Sequence, residues 1–537
     1  MAADWPTLSL TSFPAGVRQF DNSTGKAVDR GRTLPYHFGS LDLSLAGHVN
    51  ILLGRPSMLQ LLLALVLVAS TALTTLLLCL PLQYRRGSPR RATDKPLDAS
   101  KLEPEISVQV LVLGDIGRSP RMQYHAISIA KHGGRVDVIG YQESALHPGL
   151  VDNPLIAIVP LAPPPSILSL AQKCGVPFII IGPLKVLWQI WTLFHVLGYK
   201  AKPSRWLLVQ NPPSIPTLAI SLVICFLRNT HLIIDWHNYG WTILSGTRGS
   251  SHPLVKISKR YEEVFGRYAS TANFTVTDAM ARQLMNPPYS IRSQIFTLHD
   301  RPAEVFQPIT DAKERQIFLS NLPDTALEAK NIIAGKTKLL VSSTSWSPDE
   351  DFSLLLSALE TYSARRSQTG SLPPIHAIIT GKGPQKELYF RRIDKLKADG
   401  KLEGVTILSA WLTTGDYAKL LACADLGVCL HMSSSGVDLP MKVVDMFGAG
   451  LPVVGYSGYE SWGELVKEGA NGRGFETSER LGELLVELLG KGGEKDLGVL
   501  REGARREGSR RWDQEWDGTA AKVLGLINSG DGKPGCC

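Results

Sequence analysis

The sequence predicts an α/β protein with two Rossmann-like domains that face each other across a cleft, preceded by one transmembrane helix. Apolar strands alternate with glycine turns and helical segments from about residue 105, and a second series of the same kind begins near residue 335. An uncharged run near the N-terminus predicts the membrane helix. The 537 residues, 44% hydrophobic and 20% charged, have a globular composition and suffice for two or three domains.

The first feature along the chain is the apolar run from Met58 to Leu80, which contains no charge. At about 1.5 Å per residue a helix of this length spans the roughly 30 Å hydrocarbon layer. A cleaved signal peptide is the disfavoured alternative, because 57 residues precede the run. We therefore predict a poorly ordered luminal tail at 1–57, an anchor at 58–82 and a flexible linker at 83–104.

The charges around this anchor predict its orientation. Only Arg55 lies in the twenty residues before it, whereas five basic residues follow it, namely Arg85, Arg86, Arg90, Arg91 and Lys95. The positive-inside rule then places the large C-terminal body in the cytosol. The net charge of +8 favours a phosphate-bearing partner or an anionic membrane, and its scattered distribution excludes a nucleic-acid-binding stripe. Seven cysteines without a CxxC pair exclude a disulfide framework and fit a reducing compartment.

The first domain is predicted at residues 105–325. SVQVLVLGDIG is a buried strand, RMQYHAISIAKHGG a helix with a glycine stop, and RVDVIGY the next strand. The unit recurs as the strand WLLVQNPP, the helix SIPTLAISLVICFLRN and the strand THLIIDWHNYG. Two segments, 183–200 and 214–229, are unusually apolar but too short to span a membrane. They are either buried helices or, for the first, a face in the headgroup region that receives a lipid-linked acceptor.

The second domain is predicted at residues 335–500, followed by a C-terminal helix and tail at 501–537. Its strands are KLLVSSTSW, IHAIITGKGP, GVTILSAW, DLGVCLHMSS and LPVVGY, each followed by a turn. Ligands of open parallel sheets bind at the carboxyl ends of the strands. We therefore expect the functional residues of both domains in the loops that follow these strands.

The most informative stretch is residues 425–456, which predicts a strand, a Ser/Gly loop, a helix beginning near Pro440 and another strand. Free amides at the helix start, together with the loop, would form a positive pocket for a diphosphate. Lys442 would neutralise phosphate oxygens and Asp445 would accept hydrogen bonds from a ribose. The alternative is a solvated Lys–Asp pair on the helix surface. The loop residues concerned are Ser433, Ser434, Ser435 and Gly436.

This stretch, with DWHNYGWTIL (235–244) and GDIGRSPRMQYHA (114–126), resembles the eukaryotic chitobiosyldiphosphodolichol beta-mannosyltransferase family over residues 105–520. The resemblance implies a GT-B fold and transfer of mannose from GDP-mannose to GlcNAc2-diphosphodolichol, on the cytosolic face of the endoplasmic reticulum membrane. This reaction would form the first beta-1,4-mannosyl bond of the lipid-linked oligosaccharide for protein N-glycosylation. The wider GT-B class often has two donor-site glutamates separated by seven residues. Asp445 matches the second, whereas Val437 occupies the first position and Asp438 is displaced by one.

The implied reaction inverts the anomeric centre, so it needs a base for the acceptor hydroxyl and charge stabilisation for the departing GDP. The base candidates follow first-domain strands, and Asp115 and His237 are preferred over His125 and Asp235. Asp235 and His237 alternate on an extended chain and point to the same side, where the carboxylate would orient the imidazole. A structural role is the alternative for each. Without a convincing DxD pair, we predict no essential metal and no cofactor.

Supporting roles are predicted for further loop residues. Gly117 would permit close backbone approach, and Arg118 or Arg121 would contact the acceptor diphosphate; a tight turn with solvated arginines is the alternative. In the second domain, Ser345, Gly381 and Gly383 would form walls of the nucleotide site. Trp411 is either a stacking platform or a core residue.

Two other functions compete with the implied one. A related transferase on the same membrane face would use a later dolichol intermediate or another nucleotide sugar. A catalytically silent GT-B-like membrane subunit would bind lipid-linked sugar or a partner enzyme. Other dolichol-pathway glycosyltransferases are candidate partners in each case.

Overall fold

The computed structural model describes residues 58–85, 106–347 and 350–527. The chain divides into two compact units, one ending at Leu80 and the other beginning at Pro81. The predicted luminal tail, most of the predicted linker and the last ten residues lie outside the described part.

The predicted anchor forms helix α1, Met58–Leu78. Its segment Met58–Thr75 has a mean hydropathy of 2.0 and is not buried within the protein. By length and composition it is one of two helical segments in the described residues that suit a membrane span, the other being Ile179–Lys200. This segment begins four residues before the predicted 183–200 and is long enough for a span, and the expectation that it does not cross the membrane stays a prediction.

The first domain is built on a sheet of seven parallel strands in the order β3-β2-β1-β4-β5-β6-β7. The strands are β1 Ser107–Asp115, β2 Arg135–Tyr141, β3 Ile156–Pro160, β4 Trp206–Asn211, β5 His231–Trp236, β6 Ala272–Thr275 and β7 Gln294–Thr297. The helices are α2 Pro120–Lys131, α3 Pro148–Val151, α4 Ser166–Lys173, α5 Phe178–His195, α6 Thr217–Arg228, α7 Gly240–Arg248, α8 Pro253–Ala269 and α9 Asp278–Met285.

The second domain contains six parallel strands in the order β10-β9-β8-β11-β12-β13. The strands are β8 Lys338–Ser343, β9 Ile375–Thr380, β10 Val405–Ala410, β11 Leu426–Cys429, β12 Val453–Tyr456 and β13 Gly472–Phe475. Three short helices connect the domains: α10 Ala312–Asn321, α11 Pro323–Ala326 and α12 Ala329–Ile333. The remaining helices are α13 Phe352–Thr369, α14 Lys386–Ala398, α15 Thr414–Cys423, α16 Met441–Gly448, α17 Trp462–Leu465, α18 Ser478–Leu489, α19 Glu494–Gly508, α20 Trp512–Gly518 and α21 Ala520–Leu524.

The last two described helices, α20 and α21, pack on the first domain. Trp516 of α20 and Leu524 of α21 are fully buried in the same apolar cluster as Val108 of β1 and Ile233 of β5. The predicted C-terminal helix is therefore two short helices, which help to close the core beneath the first sheet.

The two apolar segments of the first domain are amphipathic rather than buried throughout. Leu193 and Leu197 are buried beside the sheet, whereas Ile179 and Trp191 on α5 are 80% and 62% exposed. On α6, Phe226 is 83% exposed. The interpretation of these segments as buried helices is therefore wrong for one face of each.

Candidate functional site

The first domain concentrates charge at the carboxyl end of β5, where Asp235 is completely buried. Arg121, at the start of α2, binds this carboxylate with both arms of its guanidinium, at 2.9 Å from Nε and 3.0 Å from Nη2. Its Nη1 donates to the Leu298 carbonyl and to Asp300, both at 2.8 Å. A buried carboxylate is tolerated here because a planar two-pronged cation compensates it.

Two histidines approach the same oxygen of Asp235. His237 Nε2 lies 2.8 Å and His125 Nε2 lies 3.2 Å from Asp235 Oδ2. Burial alone would raise the pKa of Asp235, but the Arg121 charge and the histidines hold this pKa well below its usual range. The predicted pairing of Asp235 with His237 is thus present, and the carboxylate orients the imidazole.

The four base candidates differ in access to solvent. The His237 side chain is 23% exposed, whereas Asp235 and His125 are completely buried. Asp115 Oδ1 accepts hydrogen bonds from the amides of Gly117, Glu143 and Ser144 at 3.1–3.2 Å. Asp115 therefore joins two strand-end loops, and among the four His237 is the residue placed to reach a substrate.

Two of the predicted acceptor contacts do not fit their surroundings. Arg121 is 4% exposed and is committed to carboxylates and a carbonyl, so it positions Asp235 instead. A Cβ at Gly117 would lie 2.6 Å from the Ala145 carbonyl oxygen. The close backbone approach that Gly117 permits is therefore to the loop that contains Ala145. Arg118 keeps an exposed side chain, with Nε 3.4 Å from Asp115 Oδ2, and stays a candidate for an acceptor phosphate.

On the second domain, the serine loop after β11 is organised around Asp438. Its carboxylate accepts hydrogen bonds from Ser433 and Ser435, the latter at 2.7 Å, and lies 3.0 Å from His431 Nε2. Burial opposes ionisation, yet these partners lower the pKa of Asp438 below its usual value. The carboxylate therefore shapes the loop from inside, where Gly436 adopts a φ of +77° that favours glycine.

The serine loop meets the β5 loop directly across the cleft. Ser434 Oγ lies 3.2 Å from Asn238 Nδ2 and 3.3 Å from Thr242 Oγ1. Three residues further on, the Val437 carbonyl accepts a 2.6 Å hydrogen bond from Thr277 Oγ1. His237 therefore lies beside the contact between the two domains, a position that its sequence neighbour Asn238 fixes.

Helix α16 begins at the predicted place, with Pro440 as its N-cap and without a side-chain cap. Its first amides are available to an anion. Lys442 pairs with Glu350, a 4% exposed carboxylate that follows β8 and also accepts a 2.9 Å hydrogen bond from Ser345 Oγ. Sequence reasoning missed Glu350, although its position after a second-domain strand is the same signal that identified Ser345.

Asp445 does not pair with Lys442, so the alternative of a solvated Lys–Asp pair is wrong. Burial, with a smaller contribution from Asp300, raises the pKa of Asp445 to about 8. The same carboxyl helps to raise the pKa values of Tyr124 from the first domain and Tyr417. Asp445 is therefore a desolvated carboxyl in the cleft, where a ligand hydroxyl would find a strong hydrogen-bond partner.

The loops after β8 and β9 are packed backbone to backbone. A Cβ at Gly381 would lie 1.9 Å from the Thr344 oxygen, and one at Gly383 would lie 1.7 Å from the Ser345 oxygen. Both glycines are thus required by packing, whether or not they line a nucleotide. Trp411 is 58% exposed, with Lys382 Nζ 4.2 Å from its ring centroid, so the alternative of a core tryptophan is wrong.

A cavity of about 940 Å³ lies where the domains meet. Its walls include Tyr124 and His147 from the first domain, Thr414 at the start of α15, and Trp512 from α20. The cavity is large enough for a nucleotide-sized ligand.

Among the described residues, one cluster offers metal-ligand atoms within 4.8 Å of one another: Asp278, His299 and Glu464. The Glu464 carboxylate already accepts the amides of Asp278 and Ala279 at 2.7 and 2.6 Å. Burial opposes protonation of His299, but hydrogen bonds to Glu464 and Glu515 raise its pKa to about 9. A protonated imidazole has no lone pair for a metal, so this cluster is better described as an ionic contact.

Comparison with known proteins agrees with this architecture. A family model described as "Glycosyl transferases group 1" matches residues 335–491. Among solved structures, Anabaena HepE in complex with UDP superposes with a TM-score of 0.53 at 16% identity, covering 79% of this chain and 100% of that one. Sucrose-phosphate synthase from Thermosynechococcus elongatus gives 0.51 at 13% identity over 78% and 97% of the two chains. Fold and site together define a glycosyltransferase of GT-B architecture.

Sequence relatives specify the family. The chitobiosyldiphosphodolichol beta-mannosyltransferase of Arthroderma benhamiae is 50% identical over 81% of this chain and 94% of its own length. Proteins of the same name from Candida albicans and Homo sapiens are 39% and 38% identical, each over 78% of this chain and over 88% and 92% of their own lengths. The chain belongs to the chitobiosyldiphosphodolichol beta-mannosyltransferase family.

Proposed function

We propose that this enzyme transfers mannose from GDP-mannose to chitobiosyldiphosphodolichol with inversion and forms a beta-1,4 bond. The acceptor follows the name carried by its relatives. The observation that carries the assignment of the chemistry is the Asp235–His237 pair, which lies at the end of β5 and opposite the serine loop. This pair provides an oriented imidazole next to the place where donor and acceptor would meet.

His237 is the proposed base. When its Nε2 carries the proton that faces Asp235, Nδ1 carries the lone pair that accepts the proton of the acceptor hydroxyl. The hydroxyl oxygen then bonds to the anomeric carbon from the face opposite GDP, while the bond from that carbon to the phosphate oxygen breaks. Asp235 stabilises the imidazolium that forms, because Arg121 keeps the carboxylate ionised.

The donor diphosphate is proposed to bind at the start of α16. The uncapped amides after Pro440 and the ammonium group of Lys442 would stabilise the negative charge on departing GDP. Asp445 would accept a hydrogen bond from a ribose hydroxyl, and the cavity beside Tyr124 and Thr414 would take the nucleoside. We propose that no divalent ion is needed, and activity should persist in EDTA.

The lipid part of the acceptor is proposed to arrive along α4, α5 and α6. These neighbouring helices expose large apolar side chains, among them Ile167, Leu170, Ile179, Leu187, Trp191 and Phe226. The exposed Lys200 and Lys202 would meet anionic headgroups. We further propose that the body lies on the cytosolic face of the endoplasmic reticulum membrane, with α1 as a single-pass anchor.

One assay tests the proposal. The purified chain is given GDP-mannose and a short-chain GlcNAc2-diphosphate lipid, and the product is digested with β-mannosidase. We expect a β-mannosidase-sensitive product, and an at least 100-fold lower kcat for His237→Gln, about the contribution of a general base. An α-linked product would favour the related transferase, and an absence of product would favour the catalytically silent subunit. A His237→Gln variant with parental kcat would remove His237 from the mechanism.

A further inference from the structure

We propose that Trp516, on the C-terminal helix α20, is a positioning residue for this reaction: its indole N–H fixes the tautomer of His125, and His125 in turn helps to hold the Asp235 carboxylate against His237. The proposal rests on the proposed role of His237. Trp516 lies on the opposite side of the His125 ring from Asp235, so it acts through His125 and not on a reacting group.

The first step is the tautomer of His125. Trp516 Nε1 lies 2.9 Å from His125 Nδ1, and both side chains are completely buried. An indole N–H can only donate, so Nδ1 must carry the lone pair and the single imidazole proton must be on Nε2. Burial also lowers the pKa of His125, which keeps the ring neutral.

The second step is what the opposite nitrogen faces. His125 Nε2 lies 3.2 Å from Asp235 Oδ2, in an electrostatic contact rather than a hydrogen bond, and makes no hydrogen bond among the described residues. With the proton on Nε2, the N–H dipole attracts the carboxylate. With the opposite tautomer a lone pair would face a buried anion, which is repulsive at this distance and poorly screened.

The third step is the rigidity of the ring. His125 stacks on Phe274, with ring centroids 5.8 Å apart and planes at 14°, and the edge of Trp512 packs against it at 5.2 Å and 90°. The ring therefore cannot easily turn over to exchange its two nitrogens. The Trp516 contact therefore sets the tautomer of His125 and not the orientation of its ring.

A single carboxylate oxygen, Asp235 Oδ2, connects His125 to His237 on the substrate side. Asp235 Oδ2 lies within 3.2 Å of Arg121 Nε, His125 Nε2 and His237 Nε2. A change in one of the three nitrogen contacts around this oxygen alters the position of the carboxylate that the other two groups contact. A displacement of the base His237 by a few tenths of an ångström affects the chemical step more than it affects substrate binding.

The chain offers a matched pair of variants. Trp516→Phe removes the N–H that contacts His125 and keeps an aromatic ring. Trp206→Phe removes another buried indole N–H, which donates to the Leu524 carbonyl at 3.1 Å and contacts no group of the proposed site. With the full-length chain, GDP-mannose and the short-chain lipid acceptor, we expect Trp516→Phe to lower kcat about ten-fold. The KM values should change less than two-fold, and Trp206→Phe should keep the parental kcat.

A second variant and a direct measurement guard against a simple folding defect. His125→Phe should lower kcat similarly, and adding Trp516→Phe to it should cause no further loss, because both changes remove one interaction. Selective 15N-histidine NMR of the full chain should show the His125 signals, identified by their loss in His125→Phe, with the proton on Nε2. In Trp516→Phe a second tautomer or a protonated ring should appear.

Three outcomes would overturn the proposal: a parental His125 spectrum with the proton on Nδ1, equal kcat values for the Trp516→Phe and Trp206→Phe variants, or additive losses in the double variant. Failure of the His237 assignment would look different. In that case His237→Gln would retain activity while the NMR result for His125 stayed as predicted.

Discussion

At the scale of single residues, the site is governed by how buried carboxylates are compensated. Asp235 is completely buried and has a lowered pKa, whereas Asp445 has a raised one. The difference lies in their partners, because Arg121 binds Asp235 whereas, among the described residues, the charge that acts on Asp445 is the repulsive one of Asp300. One carboxyl is thus built to stay ionised and the other is left needing a hydrogen-bond partner.

The two arginines of the β1 loop should behave differently on substitution. Arg121→Gln leaves the buried Asp235 charge unpaired, and we expect a loss of about 3–5 kcal/mol in the free energy of unfolding. Arg118→Gln is the matched control, because its side chain is 62% exposed and its stability should be unchanged. Urea titration followed by circular dichroism measures both. Equal stabilities of the two variants would contradict the positioning role of Arg121.

Replacing Asp445 by Asn should stabilise the protein while weakening donor binding. With a folded-state pKa of about 8 against 3.8 unfolded, Asp445 favours folding below pH 4, and this contribution is lost progressively as the pH rises to 8. The Asn side chain does not ionise, so the Tm of Asp445→Asn should exceed the parental Tm by about 2–4 °C at pH 8, and by less at pH 5.

The same Asp445→Asn variant should bind GDP-mannose less tightly, measured by isothermal titration calorimetry, because the ribose loses its carboxyl partner. The exposed Asp394 on α14 provides the control, and Asp394→Asn should change neither the Tm nor the affinity. A variant with unchanged stability and unchanged affinity would refute both the desolvation of Asp445 and its contact with the donor.

At the scale of secondary-structure elements, strands that coincide with apolar runs were predictable, and strands with polar members or without buried residues were not. β1, β2, β4, β5 and β8–β12 coincide with apolar runs that end in turns. β3 has no buried residue, and β6, β7 and β13 contain polar residues such as Asn273 and Arg473. Their pairing comes from neighbouring strands and leaves no periodic signal in the sequence.

Contacts between residues far apart in the sequence set a second limit on what the sequence can predict. Glu350 and Lys442 are separated by 92 residues, and Trp516 and His125 by 391. Single-sequence patterns identified Lys442 and His125 as candidates because both lie near the start of predicted helices that follow strands. These patterns did not identify the residues that surround each candidate. In the structure, the surrounding residues bury His125 and Arg121 and keep both from contact with a substrate.

The exposed apolar face of α5 and α6 supports a prediction at this scale. In the body comprising residues 81–537, Trp191→Glu with Phe226→Glu should reduce flotation with liposomes that contain anionic lipid, because charged side chains resist entry into the interface. Leu327→Glu is the control, as Leu327 is 97% exposed but lies in the connecting segment. Equal flotation of both proteins would contradict a membrane role for this face.

At the scale of the whole molecule, the boundary between anchor and body predicts where the chain tolerates truncation. Arg228, at the end of α6, is buried and donates to the Leu82 carbonyl at 3.0 Å, while Tyr84 N donates to the Arg228 carbonyl at 2.7 Å. A protein that begins at residue 81 keeps these bonds, and one that begins at residue 86 loses them. We expect the longer protein to remain folded and active on a detergent-soluble acceptor, and the shorter one to have a lower Tm by differential scanning fluorimetry. Equal Tm values would show that residues 81–85 contribute nothing to the body.

Contacts between the domains predict a pH dependence for the molecule as a whole. His299 of the first domain contacts Glu464 of α17 and Glu515 of α20, at 3.5 and 3.2 Å, and its pKa is raised to about 9. A histidine pKa raised above its unfolded value stabilises the protein fully below about pH 6.5, and this contribution is lost as the pH rises through 9. The Tm of the parent should therefore fall by a few degrees between pH 6.5 and 9 relative to His299→Gln. His195→Gln, on α5, should follow the parental curve; parallel curves for the parent and His299→Gln would mean that this contact does not join the domains.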